Sequence, residues 1–275
     1  MEIIDFLSYG FIQRALITGF FIALLCSCLG FFLVLRRLSL IGDGLAHVTF
    51  GSVAVALFLK TFALYVSIPL VMISALGILR LIEKAKLHGD AAIGIVSSLG
   101  IAMGIFLASL AGGFNIDLFS YLFGNILAIS QEEMVFSILL SGVVLLLVVF
   151  FYHDLLSTTF DEESAKTAGI KTRQINMILF LLTAVTVVLT MKAVGILLTS
   201  ALLILPAVTS LQISKGFKAS LLFSSLVGVL SVIGGIFISF GLNLPTGATI
   251  VLFNFCIFMA VFVWRRRHDR KRRFL

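Results

Sequence analysis

The sequence predicts an all-α, polytopic membrane protein of about nine transmembrane helices, organised as a single transmembrane domain over residues 1–275. Two observations carry this. Of 275 residues, 60% are hydrophobic and only 12% charged, and the mean hydropathy is +1.19; a soluble fold of this length needs far more polar surface. Apolar runs of about 20 residues, the length that crosses ~30 Å of hydrocarbon as an α-helix, also recur along the chain.

The first run covers 11–35. The segment before it, "MEIIDFLSYG", has no basic n-region and no small-residue cleavage site, so no removable signal peptide is expected. Cys26 and Cys28 lie within the run. Two apart on a helix, they point to different sides, and with Cys256 they read as packing residues rather than a metal pair or a disulfide. Further spans fall at 40–59, 62–82, 91–111 and 133–152. Between the last two lies "GGFNIDLFSYLFGNILAIS", apolar but broken by Gly, Asn and Asp. It predicts a short or re-entrant helix near 113–130 rather than a further crossing. The loop 153–173 then carries "STTFDEESAKTAGI", which predicts a short amphipathic helix. Ser157, Thr158 or Thr159 would cap its start, Asp161, Glu162 and Glu163 would favour the first turn, and Gly169 would close the end. The remaining spans are 174–191, 194–213, 219–240 and 246–264. Pro206 interrupts the seventh, with Thr199, Ser200, Thr209 and Ser210 placed to satisfy freed backbone groups; it is a candidate gating position.

Charge sets the expected orientation. With the N-terminus outside and the C-terminus inside, all of the 20 Lys and Arg residues except Arg14, Lys60 and Lys192 fall on the inner side, as the positive-inside rule requires. The tail at 265–275, "RRRHDRKRRFL", dominates the pI of about 9.6. It reads as an anchor against anionic headgroups of the bilayer, not as a nucleic-acid site. Asp117, Glu132 and Glu133 fall outside, where they could meet a partner of complementary charge or simply be solvated.

"LSLIGDGLAHVTFG" places Asp43 and His47 at i and i+4 in the second span, so carboxylate and imidazole share one face. An aspartate facing lipid at mid-bilayer costs about 2.5–3.5 kcal/mol, so the pair must face protein or water. Gly42, Gly44, Ala46 and Gly51 around it allow close helix approach or leave room for a pathway. Spacing leaves two readings open. The pair is either a mutual hydrogen bond that fixes packing, or a contact for a borderline or hard divalent ion such as zinc or manganese. No Cys or Met neighbours it on this helix, which disfavours copper(I).

No Gly-x-x-x-x-Gly-Lys-Ser/Thr phosphate loop occurs, so the chain is not expected to be an ATPase or other enzyme. Several stretches in order carry a family resemblance: "LRRLSLIGDGLAHVTFG", "FSYLFGNILAIS", "FDEESAKTAGI", "MKAVGILLTSALLILPAVTSLQIS" and "LPTGATIVL". The chain resembles the permease subunits of ATP-binding-cassette importers for zinc, manganese and iron ions. Glu163, Ala165 and Gly169, with the neighbouring Glu162, look like the coupling loop of importer permeases, though Ser164 stands where one alanine is usual.

That resemblance implies a cell-membrane, multi-pass transport subunit without a permanently bound cofactor. The cargo would be Zn²⁺ or Mn²⁺, with Fe²⁺ a further candidate. The partners would be a cytoplasmic ATPase subunit, an extracytoplasmic metal-binding protein and a second copy of the chain. It makes Asp43 and His47 a transient metal site in the pathway. Metal would bind both groups deprotonated, coupling passage to protonation. The rival reading is a stand-alone proton-coupled secondary transporter in which the pair relays protons.

Overall fold

The computed structural model describes residues 9–110 and 116–273. They form twelve α-helices: α1 Gly10–Leu35, α2 Ile41–Phe58, α3 Ala63–Lys84, α4 Gly89–Leu110, α5 Ile116–Phe123, α6 Gln131–Phe150, α7 Tyr152–Phe160, α8 Glu162–Thr167, α9 Thr172–Ala193, α10 Thr199–Ile213, α11 Phe217–Leu242 and α12 Thr246–Arg273. Eight are long and apolar enough to cross a membrane, and α10 is a shorter apolar helix, in accord with the nine expected segments. Nearly every expected end lies within two residues of a helix end.

Two segments differ. The seventh begins late, at Thr199, because Gly195 (φ +96°) and a 3₁₀ turn at Ile196–Leu198 precede the α-helix. The last helix does not stop at 264 but carries the basic tail on as helix to Arg273. Of the expected short helix, residues 113–115 lie outside the described residues. The remainder is α5, of 8 residues, followed by a 3₁₀ turn at Ile126–Ala128. Eight residues rise about 12 Å, so this piece does not cross.

Helix α1 occupies the centre, packed by α6, α9, α10 and α11, while α2, α3 and α4 pack together to one side and α12 lies against α10 and α11. The reversals are tight. Helix α1 ends with Arg37 in the left-handed region (φ +58°), and the amides of Arg37 and Leu38 donate to the carbonyls of Val34 (3.1 Å) and Leu33 (2.9 Å). That Schellman pattern closes the helix without glycine, and α2 starts four residues later.

Hydrophobicity does not drive apolar helices together in lipid; close van der Waals packing does. The α2–α4 contact shows how. A Cβ on Gly51 would lie 2.5 Å from the Gly100 carbonyl oxygen, and one on Gly100 would lie 2.6 Å from the Val48 Cα. The two backbones therefore touch directly. Gly100→Val should force them apart. Overpacking costs about 1–3 kcal/mol even where side chains can shift, and here the neighbour is backbone. Thermal unfolding of the detergent-purified protein should show a markedly lowered midpoint or no folded product, whereas Gly94→Ala on the same helix, in open space, should not lower it. Equal behaviour of the two variants would refute the backbone contact.

Candidate functional site

Along α2 from Ile41 to Ala54, every residue is buried except Asp43 and His47. Their side chains are 50% and 27% exposed, and the Asp43 Oδ2 lies 3.6 Å from the His47 Nε2. The pair is thus a polar window in an otherwise enclosed helix. Glycines make the surround close. A Cβ on Gly42 would meet the Leu203 side chain of α10, and one on Gly44 would meet the Ile93 side chain of α4. Both neighbours therefore approach the backbone on either side of Asp43. The separation exceeds the 2.7–3.2 Å of an N–H···O hydrogen bond. Two ligand atoms about 2.1 Å from a tetrahedral ion stand about 3.4 Å apart, close to the spacing found. Among the described residues no group of three or more His, Cys, Asp or Glu is placed to hold a metal ion. The window therefore presents one carboxylate and one imidazole, with no third such group beside them.

The segment after α6 is helical in two pieces. Ser157, Thr158 and Thr159 do not cap the short helix. They lie inside α7, where their hydroxyls donate to the carbonyls of His153 (2.9 Å), Asp154 (2.7 Å) and Leu155 (2.6 Å). The cap of α8 is Asp161, whose Oδ1 accepts from the amides of Glu163 (3.0 Å) and Ser164 (3.1 Å). Its backbone is extended, as an N-cap requires. Gly169 closes α8 at φ +90°, with its amide donating to Lys166 and that of Ile170 to Ala165, both at 3.1 Å. Within α8 only Ala165 is buried; Glu162, Glu163 and the rest are exposed. The result is a small capped helix resting on one small side chain.

Sequence reasoning did not find what holds this segment to the body. Arg36, at the end of α1, donates from Nε to Thr159 Oγ1 (3.0 Å), from Nη1 to Asn176 Oδ1 (2.5 Å) and from Nη2 to Thr158 Oγ1 (2.5 Å). Asn176 Nδ2 in turn donates to Glu162 Oε1 at 2.8 Å. Burial pushes the Arg36 guanidinium below its ordinary pKa, and the Glu162 carboxylate opposes that shift. The only signal in the sequence was a doubled arginine, which the charge pattern already explained.

The far end of the bundle is closed by a second cluster. Glu133 is buried rather than solvated: its Oε2 accepts from the Ser130 amide (3.0 Å) in a capping box, and its Oε1 lies 3.0 Å from Lys192 Nζ. Lys192 also sits 5.1 Å from the centre of the Tyr121 ring, and its carbonyl accepts from the Asn125 amide (2.9 Å). Glu132 is exposed, and the Asp117 side chain lies outside the described residues. Pro206 is buried within α10, where the nearby Thr209 and Ser210 hydroxyls donate to Leu205 (2.6 Å) and Ala207 (2.8 Å).

Residues 8–265 match the model of the ABC 3 transport family. The chain is 34% identical over 258 residues to a manganese transport system membrane protein, MntC, of Listeria innocua, covering 94% of this chain and 92% of that one. It is 30% identical over 253 residues to the high-affinity zinc uptake system membrane protein ZnuB of Haemophilus influenzae, covering 92% and 97%. Among solved structures it resembles a chain of PsaBC from Streptococcus pneumoniae in complex with Fab, with a TM-score of 0.85, 33% identity and 94% of each chain covered.

The Glu133–Lys192 pair yields a stability prediction. Removing one partner of a buried pair leaves an uncompensated charge, which costs about 3–5 kcal/mol when burial is complete, and less here because Lys192 is partly exposed. Lys192→Met should lower the thermal midpoint in detergent clearly. Adding Glu133→Gln should restore most of the loss, because the amide keeps an acceptor for Ser130. A double variant no better than the single one would show that the pair contributes packing rather than charge compensation.

Proposed function

On the premise that this chain belongs to the ABC 3 transport family, we propose that it is the permease subunit of an ATP-driven importer for divalent metal ions. Manganese or zinc would be the cargo, with iron the remaining candidate; the names of the relatives support the first two. It is a multi-pass membrane subunit rather than an enzyme, and ATP hydrolysis belongs to a separate subunit. Family membership displaces the reading as a stand-alone proton-coupled transporter.

The observation that carries the mechanism is the polar window on α2. Asp43 supplies a carboxylate oxygen and His47 an imidazole nitrogen at a spacing suited to one ion. In a homodimer, two such windows facing each other would provide four ligands about the two-fold axis. This site would hold the ion transiently while alternating access exposes it to each side in turn. An extracytoplasmic metal-binding protein would deliver the ion from the side of Glu132, with the N-terminus outside and the C-terminus inside. The exposed face of α8, with Glu162 and Glu163 at its start and Ala165 beneath, would dock the ATPase through loop 153–173. Pro206 in α10, whose Leu203 packs on Gly42, would lie where gating motion passes the site.

Asp43→Asn with His47→Gln removes the anionic oxygen and the imidazole nitrogen while nearly preserving shape. Radioactive manganese and zinc uptake by proteoliposomes holding the whole complex should fall at least about tenfold, equivalent to some 1.4 kcal/mol at the limiting step. Assembly and basal ATP hydrolysis should persist. Near-normal uptake of both metals by the double variant would sink the metal-site reading.

The docking reading makes a separate prediction. Gly169→Pro cannot adopt φ +90° and lacks the amide that donates to Lys166, and Glu163→Lys reverses a charge on the outward face. Both should leave the protein inserted in the membrane yet reduce the ATPase subunit recovered with it. Unchanged recovery and normal transport would make 153–173 a mere connector.

A further inference from the structure

We infer that Arg36 is a positioning residue of the transport cycle, tying the ATPase-docking helix to the corner that carries Asp43. This rests on the reading of α8 and of the α2 window given above.

Arg36 is the meeting point of three elements that are remote in sequence. Its guanidinium donates to Thr158 and Thr159 at the end of α7 and to Asn176 near the start of α9. Asn176 passes the connection to Glu162, the first residue of α8. A shift of α8 therefore acts on Arg36 through Glu162 and Asn176, and through α7 by way of its threonines. On the other side, Arg36 is joined to α2 by a corner only four residues long. That corner is held by hydrogen bonds from Leu38 to Leu33 (2.9 Å), from Ile41 to Leu38 (3.1 Å) and from Gly44 to Leu40 (3.0 Å). The last of these brackets Asp43. A displacement that reaches the Arg36 backbone is thus passed to the first turn of α2 through a short, hydrogen-bonded corner.

Room for such a displacement exists. A cavity of about 420 Å³ lies beside the clasp, lined by Arg36, Leu38, Leu79, Glu83, Glu162 and Asn176. The clasp is therefore not close-packed on this side, and packing does not block a movement of it there. Arginine suits the role because its planar fork holds several acceptors at once, which a lysine ammonium on a flexible stem does not.

Coupling differs from folding in what it changes, so the test measures transport per ATP. The permease is reconstituted in proteoliposomes with its ATPase and binding-protein partners, and manganese uptake and ATP hydrolysis are recorded together. For Arg36→Met, ATP hydrolysis per assembled complex should stay within about twofold of the parent, while ions moved per ATP fall at least tenfold. Arg36→Lys should lose less, about threefold, because one or two acceptors are still reached. Thr158→Val with Thr159→Val, which keeps the side-chain shapes and Arg36 itself, should lower the same ratio and serves if Arg36→Met does not assemble. Arg37→Lys, at the exposed neighbouring position, should leave the ratio unchanged.

If uptake and hydrolysis fall in proportion, or if the ratio is unchanged in Arg36→Met and in the threonine variant, Arg36 only supports the fold and the inference is wrong. Failure of the parent permease to capture an ATPase would instead overturn the proposed function, and is seen before any variant is compared.

Discussion

Close approach of backbones across small residues is the constraint on which this bundle depends. In hydrocarbon, lipid tails solvate apolar side chains as well as other helices do, so only dense contact selects one arrangement. Gly51 and Gly100 let α2 lie directly on α4, Gly42 and Gly44 admit Leu203 and Ile93, and Gly30 lets α1 meet the backbone of α10 at Leu203. Helix α2 is thereby enclosed along most of its length. Its polar opening is then set by elimination: from Ile41 to Ala54 the neighbours cover every residue except Asp43 and His47. The site is placed by packing that it takes no part in.

The two ends of the molecule use polar interactions differently. At the far end a carboxylate and an ammonium pair across α6 and α9, joined by an amide contact from Asn125, an arrangement that holds elements in fixed relation. At the end bearing α8, the arginine of α1 distributes its donors among neutral acceptors, with the carboxylate one residue further out. Bonds in such a fan, from one charged donor to several neutral acceptors, can be exchanged one at a time, whereas separating a buried ion pair leaves two uncompensated charges. The softer end is the one assigned to receive mechanical work.

Much of this was legible beforehand, for physical reasons particular to each part. Long apolar runs announce helices in a membrane because no other open structure satisfies the backbone there. Asp43 and His47 stood out because charge is costly in such a run. Gly169 was readable as a helix end because a left-handed residue is needed. What escaped depended on distant chain. Glu133 looked solvated until Lys192 came to meet it, and Arg36 looked like a topological marker until Thr158, Thr159 and Asn176 surrounded its guanidinium. The cap was missed for a local reason: the threonines before Asp161 continue a helix, and their hydroxyls bond back to it. The late start of α10 escaped because "VGILLTS" is as hydrophobic in irregular backbone as in helix.

That late start bears on why α5 exists. Helix α10 has 15 residues, about 22 Å of rise, against ~30 Å of hydrocarbon. The 3₁₀ turn and Gly195 lie within the apolar run 194–213, where bare irregular backbone facing lipid would not be tolerated. Here it does not face lipid. Val194, Gly195 and Ile196 are buried, a Cβ on Gly195 would collide with the backbone at Phe123, and one on Gly247 would collide with the Val194 carbonyl. The half-way segment folds back over the break in its neighbour and supplies a sheath of protein where lipid would otherwise lie. Each irregularity is permitted by the other, so a homologue that straightened one would be expected to have lost both.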